Sequence, residues 1–123
     1  MNTNLILTTL MYVFFAHWFA DFLCQSQWMS MNKSKNNFAL SYHILTYGLV
    51  LTTFLLFVFR PEYNLFYFCV INTLAHFCID YISSRITSFL YKKGDIHNFF
   101  VVIGGDQLAH TSLLILTINL LVH

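Results

Sequence analysis

Four long apolar stretches, separated by short polar breaks, make up the chain. A bilayer core of about 30 Å requires about 20 mostly apolar residues in a helix. The pattern therefore predicts four membrane spans, at about 5–29, 38–59, 64–91 and 98–122. The connections between them are short, so successive helices should be antiparallel neighbours. We predict an all-α fold, an integral membrane four-helix bundle that forms a single membrane domain over residues 1–123.

Composition supports a membrane location. Of the residues, 58% are hydrophobic and only 9% are charged, against roughly 25% charged in soluble domains. The formal net charge of +1 lacks the basic surplus of nucleic-acid-binding proteins. We therefore expect membrane lipid, and not nucleic acid, as the partner. So small a bundle is also expected to be able to form a homodimer.

Basic residues are distributed unevenly among the connections. Five of the six lie at or in the first and third connections, while Arg60 alone lies in the second. Cytoplasmic loops of membrane proteins carry an excess of Lys and Arg. This bias predicts that loops 30–37 and 92–97 face the cytoplasm and that both termini face outward.

Three of the five acidic residues fall inside predicted spans. Each aspartate in the middle of a membrane opposes insertion by roughly 2.5 to 3.5 kcal/mol, so such residues need partners. Every one has a histidine four residues away, on the same helix face. The pairs are His17 with Asp21, His76 with Asp80, and His110 with Asp106.

These histidines and aspartates lie at similar depths in the predicted membrane spans. Counted from the outer ends, the three aspartates and His43 lie about 15 to 17 residues deep, and the other three histidines lie about one turn higher. The fourth helix runs in the opposite direction and reverses the order of its pair, as a shared site requires. Seven ionisable groups on four helices should therefore converge in the cytoplasmic half of the bundle.

A set of imidazoles and carboxylates is typical of a transition-metal site, with zinc the first choice and manganese or iron the alternatives. The expected primary ligands and catalytic residues are Asp21, His43, Asp80 and Asp106. The expected further ligands or proton carriers are His17, His76 and His110. The residues expected to orient substrate or water are Gln25, Tyr47 and Gln107.

Segments 16–23 and 75–82 share the pattern A-H-aromatic-x-x-D-aromatic-aliphatic. They lie in helices one and three of the predicted bundle, which point the same way. This similarity indicates a parallel two-helix repeat.

Two functions fit such a site. A metal site with one wet mouth and lateral access for lipid can hydrolyse a lipid or lipid-linked phosphate or ester. Chains of Asp and His also carry protons or ions through membranes, so a small transporter or channel using the same residues is the alternative. The outer halves of the predicted helices are nearly free of polar residues, which favours hydrolysis because a conducting path needs polar lining throughout.

The full set of polar positions resembles an uncharacterised family of small polytopic membrane proteins of bacteria and phages. The resemblance rests on H-x3-D-x3-Q at 17–25, Trp28-Met29, Lys33, His43, H-x3-D at 76–80 and D-Q-x2-H at 106–110. It implies a bacterial inner-membrane location, and it adds a third hypothesis, a phage-type modulator of a host membrane protein that uses the site only for structure. The H-x3-D element in helix three is also similar to membrane-bound metal-dependent hydrolases.

Overall fold

The computed structural model describes residues 3–122, and no strand occurs among them. Five α-helices form: α1 (Thr3–Trp18), α2 (Gln27–Asn32), α3 (Asn37–Leu56), α4 (Tyr63–Lys93) and α5 (Ile96–Thr117). A π-helical turn, Phe19–Leu23, extends α1, and a 3₁₀ turn, Ile118–Leu120, extends α5. The all-α prediction is confirmed. Positions 1, 2 and 123 of the predicted domain lie outside the described residues.

Four helical segments are long and apolar enough to cross a membrane: Thr3–Leu23, Asn37–Leu56, Tyr63–Lys93 and Ile96–Leu120. Large apolar side chains point outward along them, and Leu49, Leu74 and Leu116 are each more than three-fifths exposed. Buried inside instead are the side chains of His17, Asp21, His43, His76, Asp80 and His110. An apolar exterior around a polar interior suits a lipid environment. The chain is therefore an integral membrane protein, as predicted.

The first helical segment ends earlier than the apolar pattern does. The π-helical turn stops at Leu23, and the separate helix α2 begins after Ser26, whose hydroxyl accepts a hydrogen bond from the backbone N–H of Met29 at 3.2 Å. Serine favours such a cap because its side chain satisfies an N–H that has no partner within the helix. The predicted span 5–29 thus contains α1, the π-helical turn and the start of α2.

The helices are joined by short, capped connections. The Asn36 side chain accepts a hydrogen bond from the first turn of α3 at 2.6 Å. Gly94 ends α4 in the left-handed region, with φ of 75°, a conformation that glycine adopts without strain. Asp95 then caps α5, and hydrogen bonds from the Asn98 side chain and backbone hold the pKa of Asp95 below its ordinary value. Only two residues separate α4 from α5, which places these helices side by side.

Helix α4 packs against both α3 and α5, while α1 and its π-helical turn pack mainly against α3. The apolar core fills the end of the bundle where α3 ends and α4 begins. Its largest buried members are Tyr47, which borders the polar half, and Leu51, Leu55, Phe68 and Leu114. The buried histidines and aspartates occupy the other half of the bundle.

Candidate metal centre

Four buried residues from three elements form the centre of the polar half. Asp21 lies in the π-helical turn, His43 lies on α3, and His76 and Asp80 lie one turn apart on α4. π-Helical turns are frequent at functional sites, where they alter the direction of a side chain. Each residue contributes one ligand atom, and the four atoms lie within 4.8 Å of one another. We refer to these residues as the four-ligand group.

The distances from His43 and His76 to the other atoms of the four-ligand group are close to those in a tetrahedral metal site. His43 Nε2 lies 3.2 Å from His76 Nε2, 3.2 Å from Asp21 Oδ1 and 3.3 Å from Asp80 Oδ2. His76 Nε2 lies 3.2 Å from Asp21 Oδ1 and 3.7 Å from Asp80 Oδ2. Zinc bonds to nitrogen and oxygen are about 2.0 to 2.2 Å, so the ligand atoms of a tetrahedral site stand about 3.3 to 3.5 Å apart.

Hydrogen bonding alone does not account for so many polar neighbours. An imidazole Nε2 carries either one hydrogen or one lone pair, yet Nε2 of His43 has three polar neighbours within 3.3 Å. Two carboxylate oxygens and a second imidazole nitrogen therefore compete for at most one proton. A cation between the four atoms would accept one lone pair from each of them, and the donor set is one that binds transition metals.

A second set of ligand atoms adjoins the first. Asp80, Asp106 and His110, the three-ligand group, also offer ligand atoms within 4.8 Å of one another. His110 Nε2 lies 3.2 Å from Asp80 Oδ1 and 3.6 Å from Asp106 Oδ2. Asp106 is held in place because Ser83 and Gln107 each donate a hydrogen bond to it. Asp80 thus directs one oxygen to each group and could serve as a ligand in both.

Lys33 enters the centre from outside the membrane spans. It ends helix α2, and its ammonium group lies 2.8 Å from Asp80 Oδ2. The Lys33 side chain is 19% exposed and that of Asp80 is 3% exposed. This cation partly neutralises the buried carboxylates and links α2 to α4.

Aromatic packing fixes the orientation of the rings. The Tyr47 ring stacks on His76 at 4.0 Å between centroids, and His76 stacks on His110 at 4.2 Å. The Tyr47 hydroxyl also pairs with His17 Nδ1 at 2.8 Å. The Nδ1 atoms of His43 and His76 are buried without a hydrogen-bond partner, whereas ligating histidines usually donate that N–H to a fixed acceptor. Stacking takes over that orienting role for His76.

A cavity of about 620 Å³, lined by charged, hydroxyl and apolar side chains, adjoins the ligand groups. The acidic residues that line it are Asp21, Asp80 and Asp106, and its basic residues are Lys33, Lys35 and Lys92. Because Lys33 and Lys35 lie between α2 and α3 and Lys92 lies at the end of α4, the cavity reaches the first and third connections. The apolar core lies in the opposite half of the bundle.

The structure distributes the sequence-predicted residues over these groups. Asp21, His43 and Asp80 lie together, while Asp106 belongs with His110 in the three-ligand group. His17 belongs to neither group, but its Nε2 lies 3.7 Å from Asp21 Oδ2. Gln25 and Gln107 line the cavity, whereas Tyr47 is 1% exposed and reaches the centre through the His76 stack.

Two residues of the centre were not among the predicted site residues. Lys33 was assigned to a connection, where a basic residue indicates only topology. Ser83 donates a hydrogen bond to Asp106, and no spacing in the sequence links these two residues on different helices. The one indication of its role in the sequence is that Lys33 is among the polar positions on which the family resemblance rests.

Comparison with known proteins identifies one family. A family model described as "Protein of unknown function (DUF3307)" matches residues 9–123. The predicted membership in an uncharacterised family is thereby confirmed. No curated protein and no solved structure matches the chain.

Proposed function

The chain belongs to the DUF3307 family, whose function is unknown, and we propose that it is a metal-dependent membrane hydrolase of a lipid or lipid-linked phosphate or ester. One observation carries the proposal. Two groups of His and Asp ligands share Asp80 beside a cavity that reaches the first and third connections, while an apolar core fills the other half of the bundle.

The two groups suit different roles. The four-ligand group offers a complete tetrahedral set, which is typical of a metal that is not exchanged during reaction, whereas three protein ligands leave a position open. The three-ligand group also borders the cavity, since Asp80 and Asp106 line it. A divalent ion there, with zinc the first choice and manganese or iron the alternatives, would act as a Lewis acid and activate water.

Hydrolysis also requires proton transfer. Water forms a bond to phosphorus or to the acyl carbon, the bond to the ester oxygen breaks, and the proton from water ends on that leaving oxygen. Asp21 lines the cavity and lies 3.7 Å from His17. We assign this pair as the proton carrier, because His17 lies outside both ligand groups and its Nε2 has no hydrogen-bond partner.

The apolar core supports hydrolysis over transport. Leu51, Leu55, Phe68 and Leu114 are packed together beyond Tyr47, each at most 1% exposed. A path for ions or polar solutes needs polar lining on both sides of its binding site. A hydrolase needs only one aqueous opening, which in our proposal faces the cytoplasm of a bacterial cell, together with lateral access for lipid.

Reconstitution into liposomes tests the proposal. We expect zinc-loaded protein to release a water-soluble product from a phospholipid or lipid phosphate and to produce no proton or solute flux. The His17→Ala variant should keep its metal and lose most of this activity, while Asn119→Ala, at the far end of the bundle, should keep both. Flux that depends on His43, without hydrolysis, would overturn the proposal and favour a transporter.

A further inference from the structure

The charges that line the cavity fall into two sets. The three carboxylates all belong to the ligand groups, and the three lysines all lie at or next to the connections. These six charges balance, so the cavity is neutral when no metal is bound. Each divalent ion that binds therefore leaves two positive charges in excess.

A phosphate monoester has the complementary charge. Its second pKa is near 6, so it carries a charge of about −1.5 to −2 at neutral pH. Neutral esters carry none, and a phosphodiester carries one negative charge. Of these three headgroup types, a dianion compensates the excess of one divalent ion most completely.

A buried hydroxyl in the cavity has no partner. Ser84 is 8% exposed and lines the cavity, and its Oγ makes no hydrogen bond to the protein. Burying a hydroxyl without a partner is costly. Ser88 lies one turn further along α4 and lines the same cavity. Two hydroxyl donors on one face suit the acceptor oxygens of a phosphate group.

Lys33 has donors to spare for an anion. Its ammonium group carries three N–H donors, and Asp80 takes one at 2.8 Å. Because Lys33 also lines the cavity, it can bind a phosphate oxygen while it still contacts Asp80. Lys92 supplies a second cation on the loop side of the cavity.

Apolar residues connect this cavity with the bilayer. Phe22, Met31 and Tyr91 line it, and they are 46%, 57% and 65% exposed. Phe22 and Tyr91 belong to segments long and apolar enough to cross a membrane, so an acyl or prenyl chain can remain in the bilayer beside them while its headgroup enters the cavity. This favours a lipid phosphate over free phosphate.

We propose that the cavity binds the phosphate monoester headgroup of a lipid, with Lys33, Ser84 and Lys92 as the residues that hold it. The inference rests on the proposed function, because it names the substrate class for the same cavity. Lys33, Ser84 and Lys92 bind and position the headgroup, and the ligand groups lie beside it.

The test measures binding to the full-length, zinc-loaded protein in nanodiscs. The probe is the phosphonate analogue of dioctanoyl phosphatidic acid, in which carbon replaces the ester oxygen and prevents hydrolysis. Dioctanoylglycerol, which lacks the phosphate, and inorganic phosphate are the comparison ligands. We expect the phosphonate to bind roughly tenfold or more tightly than either.

Neighbouring lysines provide the matched variants. Lys92 lines the cavity, whereas Lys93 faces the Phe89 ring. Lys92→Gln should weaken phosphonate binding roughly threefold, Lys33→Met and Ser84→Ala roughly tenfold, and Lys93→Gln should have no effect. Equal effects of Lys92→Gln and Lys93→Gln, or equal binding of the phosphonate and dioctanoylglycerol, would overturn the proposal. Equally tight inorganic phosphate would overturn the lipid assignment.

Failure of the proposed function gives a different result. Protein that binds no metal but still binds the phosphonate through Lys33 sustains the headgroup site and overturns the metal-dependent hydrolase. Protein that cleaves a neutral lipid ester with its metal, and does not bind the phosphonate, overturns the headgroup site alone.

Discussion

Replacement of Asp80 by asparagine should affect both ligand groups at once. Asp80 Oδ2 lies 3.3 Å from His43 Nε2, and Oδ1 lies 3.2 Å from His110 Nε2. Asparagine has the same shape but loses the negative charge and replaces one acceptor oxygen with a donor. The change therefore removes one of four ligands from one group and one of three from the other.

The expected loss of affinity is large. Removing a group that merely orients a metal ligand costs about 10- to 100-fold in affinity, so loss of the ligand itself should weaken zinc binding by roughly 100-fold or more at each group. This corresponds to about 2.7 kcal/mol or more per ion. Competition with a chromophoric chelator, on detergent-purified protein, measures both affinities.

Two controls make this result interpretable. Asp95→Asn changes a carboxylate that caps α5 and belongs to neither ligand group, so zinc affinity should stay at the wild-type value. Circular dichroism must show that Asp80→Asn keeps its helices. If the folded Asp80→Asn protein bound zinc within threefold of the wild type, the assignment of Asp80 to the metal centre would be wrong.

Three further predictions concern packing, capping and orientation. Gly48→Ala should destabilise the protein by roughly 1 to 3 kcal/mol in thermal unfolding, because a Cβ there would lie 2.9 Å from Thr73, while Gly104→Ala, with nothing within 4 Å, should not destabilise it. The stabilisation that Asp95 gives to α5 should be present above about pH 4 and fall as pH is lowered further, because its pKa is depressed in the folded state. Thermal unfolding of the wild type and of Asp95→Ala across this pH range tests it. A difference in stability between the two proteins that does not change with pH would contradict it. A cysteine at Lys35, in a background without native cysteines, should react with impermeant reagent only from the cytoplasmic side, and labelling from outside would reverse the orientation.

The helices and the convergence of the polar residues were predictable from the sequence. A membrane restricts spanning segments to helices, so apolar length alone is a strong signal. The His and Asp pairs share a face because four residues complete about one helical turn. Counting residues from the outer ends of the spans then predicts that Asp21, His43 and Asp80 lie at the same depth in the membrane, and the structure places their ligand atoms together.

The composition of each ligand group was not predictable, because it depends on side-chain reach. A count of residues placed His76 one turn above the carboxylates. The His76 ring nevertheless reaches within 3.2 Å of Asp21, because an imidazole is long enough to span part of the helical turn that a count of residues puts between them. The count of residues also predicts that Asp106 and Asp21 lie at the same depth in the membrane. It cannot show which neighbouring residue each carboxylate faces.

The contact between Lys33 and Asp80 could not be predicted for a different reason. The apolar pattern continues through residue 29, and no Gly or Pro between 19 and 29 marks the π-helical turn or the break that follows it. That break ends the first span at Leu23 and lets α2 bring Lys33 to Asp80. Lys33 lies outside the spans, as predicted, but without knowledge of the break nothing indicates that this connection folds back onto Asp80.

Elemental analysis of the gently purified protein tests the central claim most directly, namely that the two His and Asp groups bind metal. We predict about two transition-metal ions per wild-type chain, about one in Asp106→Asn, which alters only the three-ligand group, and close to none in Asp80→Asn. A wild-type protein that remained free of metal after reconstitution with zinc, manganese and iron would contradict the account.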